Sequence, residues 1–188
     1  MDIKKTANLF VNFTIRRLAE IFGLIISSTG ILILLSLLTY SPEDPNFIFP
    51  DNTEIKNILG FQGSFVSDLF FQSLGLVSYL FSLTLVVTGV NIVRSKDFFL
   101  VIENIFYAII YSILGTLFLT HFYSNAFDLY INGNGGFVGM YLNETFLKSL
   151  ILLNEKIFYY ILIVLNIFLF LISINFHPVK FYEILKKL

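Results

Sequence analysis

Two carboxylates, Glu20 and Glu103, lie inside long apolar stretches of this chain. A carboxylate deep in a bilayer commonly relays protons or binds ions, because a buried charge there is costly. Neither position is central, since each lies within about one helical turn of the end of its apolar stretch, close to basic residues. We therefore expect interfacial pairing or snorkelling rather than a proton relay. The basic candidates for such pairing are Arg16, Arg17, Arg94 and Lys96.

The two histidines are the next candidates for chemistry. His121 is predicted at the outer end of one span and His177 at the inner end of another, which separates them by a bilayer of about 30 Å. They cannot share a metal ion at that distance. The sequence therefore predicts no catalytic residue, no metal site and no cofactor.

Adjacent acids follow the first apolar run, where Glu43 and Asp44 lie between Pro42 and Pro45. Such a pair could bind a cation or a basic partner. Acidic residues beside prolines are, however, typical of solvated turns, because proline presets turn geometry and lacks an amide hydrogen. We interpret the segment as an outer turn that ends the first span.

Two glycine pairs, Gly60-x-x-Gly63 and Gly136-x-x-Gly139, each precede an apolar segment. Glycine loops can cradle phosphate, but a P-loop also needs a Lys-Ser/Thr pair, which is missing after both. Glycine also permits tight turns and close backbone approach. We therefore predict two outer elbows at which the chain turns back towards the membrane.

The glycine pairs belong to an internal repeat, which is a reason to reconsider the whole architecture. The matched identities are Gly60 with Gly136, Phe61 with Phe137, Gly63 with Gly139, Phe70 with Phe146, Ser73 with Ser149 and Leu74 with Leu150. Amphipathic stretches at residues 64–73 and 140–154 follow the elbows, and we expect short helices there on the outer membrane face. Asp68 and Glu144 are expected early in those helices, where the helix dipole favours negative charge.

These elements must be positioned by a membrane domain. With 56% hydrophobic and 13% charged residues, the chain is far more apolar than soluble proteins. A spanning helix needs about 20 mostly apolar residues, and backbone groups in lipid must bond within the helix. The prediction is an all-α polytopic domain built as two related hairpins, with four spans at about residues 18–38, 69–93, 100–121 and 157–176.

Small residues recur along one face of the odd-numbered spans, where they let helix backbones approach closely in lipid. The alternative is an incidental enrichment, because such residues are common in membrane helices. We predict packing seams in the first span (Gly23, Ser27, Gly30) and the third (Ala108, Ser112, Gly115). The fourth span is bulky apart from Ser173 and is expected to face lipid more than its neighbours.

Basic residues indicate the orientation. They concentrate before the first span, between the second and third, and after the fourth: Lys4, Lys5, Arg16, Arg17, Arg94, Lys96, Lys180, Lys186 and Lys187. The positive-inside rule then places both termini in the cytoplasm, residues 1–17 as a basic N-terminus and 177–188 as the start of a linker. These few scattered charges suit anionic lipid better than nucleic acid, so no direct nucleic-acid contact is expected.

The order of features resembles the N-terminal four-span region of FtsK/SpoIIIE-type DNA translocases. The resemblance covers roughly residues 16–176 and is most specific at the Ser-Pro-x-Asp-Pro exit of residues 41–45 and at Leu59-Gly60-x-x-Gly63. The later Gly135-Gly136-Phe137-Val138-Gly139 resembles the family's second outer loop. The chain departs from the family where Ile and Phe replace small residues in the spans.

This resemblance implies a non-enzymatic anchor in the bacterial inner membrane, at the division septum, that tethers a cytoplasmic DNA motor or division proteins. Membrane proteins of the division machinery and further copies of the chain are the partners it implies, besides the bilayer. Two alternatives stay open. One is a small transporter or channel subunit with Glu103, Asn91 and Asn166 along a polar path, and the other is a membrane scaffold unrelated to division.

Overall fold

The computed structural model describes residues 3–45, 54–124, 133–178 and 186. Within these ranges the chain is helical and contains no strand, which confirms the predicted all-α class. In chain order the helices are α1 (Ile3–Leu38), α2 (Gly60–Leu74), α3 (Val77–Ser95), α4 (Leu100–Phe122), α5 (Gly136–Asn143), α6 (Phe146–Leu153) and α7 (Glu155–Ser173). Asp51, Lys180, Lys187 and most of the predicted linker start lie outside the described residues.

Four of these helices, α1, α3, α4 and α7, are long and apolar enough to cross a membrane. The polytopic membrane architecture is therefore confirmed. The short helices α2, α5 and α6 lie in the connections after α1 and α4, at what we call the loop end of the bundle. The opposite terminal end holds the start of α1, the α3–α4 turn and the end of α7.

The spans pack in a row rather than as a closed square. Helix α1 packs chiefly on α3, α3 also contacts α4, and α4 packs chiefly on α7. In their most apolar stretches α3 and α4 each bury 39% of their residues, whereas α7 buries 11%. Helix α7 is thus the least buried of the four spans, in line with the expectation that it faces lipid more than its neighbours.

The second span begins later than the sequence predicted. The apolar run starting at Leu69 is divided, because α2 ends at Leu74 and a new helix starts at Val77. Gly75 has φ 58° at the break, and the Leu76 amide donates to the Asn134 carbonyl at 3.0 Å instead of continuing the helix. A hydrogen bond from the second elbow thus helps to set the start of this span.

Two other local predictions were wrong. The predicted amphipathic stretch of residues 140–154 is two helices, α5 and α6, because the Thr145 hydroxyl caps α6 by accepting from the Leu147 amide at 3.3 Å. Glu144 consequently follows the end of α5. Asp68 lies in the middle of α2, is 6% exposed and accepts the Tyr40 hydroxyl at 3.5 Å, so it is not at a helix start.

Helix α1 begins well before residue 18. Its 36 residues extend for about 54 Å at about 1.5 Å per residue. That exceeds a hydrocarbon core of about 30 Å. The segment predicted as a basic N-terminus is therefore continuous with the first span as one helix from Ile3 onward.

Candidate functional site

The contact between α1 and α3 is built around glycines. A Cβ on Gly30 would stand 2.7 Å from the Val86 amide nitrogen, and one on Gly23 would stand 2.7 Å from the Gly89 carbonyl oxygen. Gly89 of α3 completes the seam, because a Cβ there would collide with the Gly23 carbonyl and with Ser27. Sequence reasoning missed Gly89, although a lone glycine in an apolar helix is a recognisable sign of close backbone approach.

The stripe on α4 lies between two neighbours. Ala108 and Ser112 are buried, and Ala108 belongs to an apolar cluster with Val77 of α3. A Cβ on Gly115 would stand 2.9 Å from Asn166 Oδ1 of α7 and 3.0 Å from Val77. At Gly115 the stripe therefore lies close to both α3 and α7.

A buried set of polar side chains joins α3, α4 and the end of α7, and we call it the polar ladder. In its first layer Thr84 Oγ1 lies 2.9 Å from the Tyr111 hydroxyl and 3.1 Å from Ser173 Oγ. In its second layer Asn104 Nδ2 donates to Thr88 Oγ1 at 2.9 Å and to Asn175 Oδ1 at 2.8 Å. Hydrogen bonds between membrane helices stabilise their association, so the ladder fixes the register of three helices.

Sequence reasoning did not find the polar ladder. The signal was present as Thr84, Thr88 and Asn91 on one face of α3, and as Asn104 and Tyr111 on one face of α4. Polar residues at helical spacing inside apolar spans indicate buried pairing, because lone polar groups in lipid are costly. Spacing alone, however, does not predict which helices the bonded partners belong to.

The intramembrane carboxylates behave differently from one another. Glu20 pairs with Arg17 at 2.5 Å and with Lys96 of the α3–α4 turn at 2.6 Å, so it links α1 to that turn. Glu103 is exposed on α4. Its neighbour Asn104 is the residue that points into the bundle.

The residues of the suggested polar path serve separate local contacts. Asn91 donates to the Ile174 carbonyl at 3.3 Å near the terminal end. Asn166 donates to the Leu162 carbonyl of its own helix at 2.8 Å. With Glu103 exposed, the bonds of Asn91 and Asn166 describe local helix contacts rather than the lining of one conduit.

At the first elbow, Asp44 has a structural role. It is 1% exposed, and its two carboxylate oxygens accept the amides of Lys56 and Asn57 at 2.8 Å each. The predicted solvated turn is wrong for this residue, because the chain folds back over it. Pro42 is exposed, whereas Pro45 is buried and its carbonyl accepts the Ser64 hydroxyl at 2.8 Å.

The first elbow is also tied to α1. Asn57 Nδ2 donates to the Ser36 carbonyl at 2.9 Å, and the Ser36 hydroxyl donates to the Gly63 carbonyl at 2.5 Å. Gly63 is buried beneath Asn57 and Leu59, with no room for a side chain. Buried polar contacts therefore hold the first elbow both to the turn at Asp44 and to the end of α1.

The internal repeat has the same backbone turn in both copies. Gly60 has φ 66° and its amide donates to the Asn57 carbonyl at 2.9 Å, while Gly136 has φ 63° and donates to the Gly133 carbonyl at 3.2 Å. The buried Gly139 then lies against α4 at Thr116 and Thr120, as the buried Gly63 lies against its own elbow. Each copy thus opens with a left-handed glycine.

The two elbows meet each other at the loop end. A Cβ on Gly136 would stand 2.6 Å from the Ser73 carbonyl carbon and 2.7 Å from the Gly75 amide nitrogen. Asn134 is buried here, and its side-chain amide donates to the Tyr123 carbonyl. The contact connects the end of α2 with the start of α5, and therefore connects the two hairpins.

One exposed ion pair lies beside the first elbow. Lys56 Nζ is 2.5 Å from Glu43 Oε2, and both side chains are largely exposed. The hydrogen bond and charge of Lys56 lower the pKa of the Glu43 carboxyl, and Glu43 in turn raises the pKa of the lysine. This pair orders the surface of the elbow beside the buried Asp44.

The loop end also has a polar cleft of 440 Å³ between α4, α5 and α6. Thr120, Glu144 and Lys148 are among its lining residues. Beside this cleft, His121 Nδ1 lies 2.9 Å from Asn143 Oδ1. His177 Nδ1 lies 2.7 Å from the carbonyl oxygen of Asn175, two residues before it. No group of three or more His, Asp or Glu side chains in the described part of the chain could hold a metal.

The model of one protein family matches residues 15–185, and it describes the 4TM region of the DNA translocase FtsK/SpoIIIE. The matched region contains the polar ladder, both elbows and most of α1. No solved structure matches the chain.

Curated relatives agree with that match. The chain is 26% identical over 105 residues to the DNA translocase FtsK of Rhizobium meliloti, 35% over 79 residues to that of Caulobacter vibrioides, and 32% over 83 residues to that of Bradyrhizobium diazoefficiens. These alignments cover 56%, 42% and 44% of this chain. They span only 12%, 10% and 10% of the relatives' lengths.

Proposed function

Because the chain belongs to the family of the 4TM region of DNA translocases FtsK/SpoIIIE, we propose that it is the membrane anchor of an FtsK-like translocase. The family match over residues 15–185 is the observation that carries this proposal. The anchor acts without chemistry of its own: it holds a cytoplasmic DNA motor and division proteins at the septum. The packing contacts support this role, because seam, ladder and elbows all join helices to one another.

The proposed orientation places the terminal end in the cytoplasm and the loop end outside. The basic residues Arg16, Arg17, Arg94 and Lys96 support this, since basic residues favour the cytoplasmic side. The ion pairs of Glu20 with Arg17 and Lys96 lie at the same end. Cysteine labelling tests the orientation, because the natural sequence has no cysteine. A cysteine at Ser95 should react only after the inner face is opened, and one at Ile58 should react in intact cells.

Septal location is tested by imaging a fluorescent fusion of the full chain in dividing cells. The expected result is a band at the division site that persists when the exposed Glu103 is changed to Gln. A variant with Gly89→Leu, which opens the α1–α3 seam, should lose the band while still reaching the membrane. An even membrane distribution of the unchanged chain would overturn the septal part of the proposal.

The tethering role has its own test. A membrane-anchored motor should remain in the membrane fraction when this domain is joined to it and should become soluble when residues 15–176 are deleted. Reading the gene beyond codon 188 gives an independent check. A continuing frame that encodes a polar linker and a P-loop supports tethering, whereas a stop codon without such a segment contradicts it.

A further inference from the structure

The end of α7 has a Schellman motif, in which a left-handed residue terminates the helix. Asn175 is that residue, with φ 51°. Its amide donates to the Ile172 carbonyl at 2.8 Å, and the Phe176 amide donates to the Leu171 carbonyl at 2.9 Å. Glycine is the usual residue at this position, because it adopts positive φ without strain.

The side chain of Asn175 makes contacts that glycine could not. Its Oδ1 accepts Asn104 Nδ2 of α4 at 2.8 Å and Asn91 Nδ2 of α3 at 3.4 Å. Asn91 also reaches the Ile174 carbonyl at 3.3 Å. The last turn of α7 is thus bonded to two other helices at the point where the chain leaves the bundle.

The rest of α7 is the least buried of the four spans, although Ser173 Oγ lies 3.1 Å from Thr84 Oγ1 of α3 and the Tyr159 hydroxyl lies 2.8 Å from that of Tyr123. Leu162 and Ser173 are its only buried residues among those the structure describes, and the helix packs mainly on α4. A force on the residues that follow Phe176 would reach this exposed helix first. Bonds at its very end would have to break before the helix could peel from α4.

We propose that Asn91, Asn104 and Asn175 form an exit clamp, which passes tension on the following chain from α7 to α3 and α4. The inference rests on the proposed tethering function, because a DNA motor pulls on whatever anchors it. Asn104 is suited to this role: it is fully buried and bonds Thr88 of α3 at the same time as Asn175. Tension is thereby shared with the two most buried spans.

Single-molecule pulling of the full chain in lipid nanodiscs tests the clamp, with the force applied at the C-terminus. Asn175→Gly is the main variant, because it keeps the Schellman backbone and removes only the side chain. It should increase the rate of α7 detachment at constant force about tenfold, since interhelical hydrogen bonds are lost. Asn104→Leu should also increase the rate of α7 detachment.

Val164→Ala is the matched control, because Val164 lies on the same helix and is 63% exposed. Its detachment rate should stay within about twofold of the unchanged chain. A pure helix-capping role predicts that Asn175→Gly is neutral or slower to detach, and that result would overturn the clamp. An equal acceleration in Val164→Ala would also overturn it. The measurement needs no motor, so failure of the clamp and failure of tethering are distinguished.

Discussion

The backbones of Gly75 and Gly136 touch, so that a side chain on Gly136 would lie 2.7 Å from the Gly75 amide nitrogen. The contact joins the end of α2 to the start of α5. It also gives the two halves of the repeat different surroundings, since the matched Gly60 has open space where a side chain would lie. The same turn therefore leaves room for a side chain at Gly60 but not at Gly136.

The first prediction compares Gly136→Ala with Gly60→Ala. Both substitutions place alanine at positive φ, which costs about 1–2 kcal/mol. Only Gly136→Ala adds a collision with the backbone of residues 73 and 75. We expect it to lower the free energy of unfolding in mild detergent clearly more than Gly60→Ala does. Equal losses would show that the elbow contact is not formed.

The second prediction concerns the seam between α1 and α3. Gly89→Ala should destabilise the domain by about 1–3 kcal/mol, the usual cost of overpacking. Its new methyl group would meet the Gly23 carbonyl and Ser27. Ser28→Leu on the exposed side of α1 is the control and should change stability by less than about 0.5 kcal/mol. Thermal unfolding in nanodiscs measures both, and a harmless Gly89→Ala would argue against close α1–α3 packing.

The third prediction tests Asp44 as the centre of the first elbow. Asp44→Asn replaces one acceptor with a donor, which leaves a buried amide unsatisfied at a cost of about 1–3 kcal/mol. The amides of Lys56 and Asn57 should exchange faster with deuterium. Glu43→Gln, at the exposed neighbour, should leave those two amides protected. Unchanged protection in Asp44→Asn would contradict the bonds described for its carboxylate.

The fourth prediction is a pH dependence at Glu43. Lys56 holds the pKa of this carboxyl below its ordinary value of 4.5 in the folded chain. A lowered folded-state pKa means that the pair's stabilisation is present above pH 4.5 and is lost as the pH falls through the folded-state pKa. Because both groups are exposed, the effect on stability is small. Carbon-13 NMR should show the Glu43 pKa returning towards 4.5 in Lys56→Met, and no shift would refute the pairing.

The four spans could be predicted because each is a continuous apolar run of sufficient length. The break at Gly75 could not, because the run from Leu69 to Val93 has no charge to interrupt it. At this break the Leu76 amide donates to the carbonyl of Asn134, a residue that is remote in sequence. Hydropathy measures the composition of a segment, whereas this boundary depends on a contact between hairpins.

The burial of Asp44 and the exposure of Glu103 were equally inaccessible to sequence reasoning. Asp44 has the neighbours of a solvated turn, and only the return of residues 56–57 encloses it. In the same way Glu103 and Asn104 are adjacent, yet the amide is buried and the carboxylate is exposed. Whether a side chain on a membrane-spanning helix is buried depends on where neighbouring helices pack, which a charge pattern alone does not determine.

The row of spans follows the order of the chain, and this has a consequence for biosynthesis. The spans that pack on each other are consecutive in the chain: α1 with α3, α3 with α4, and α4 with α7. Proteins dominated by contacts between neighbouring segments fold quickly, because little loop-closure entropy is lost. Each helix that leaves the translocon should therefore find its partner already inserted, so that the domain can assemble stepwise during translation without waiting for its last span.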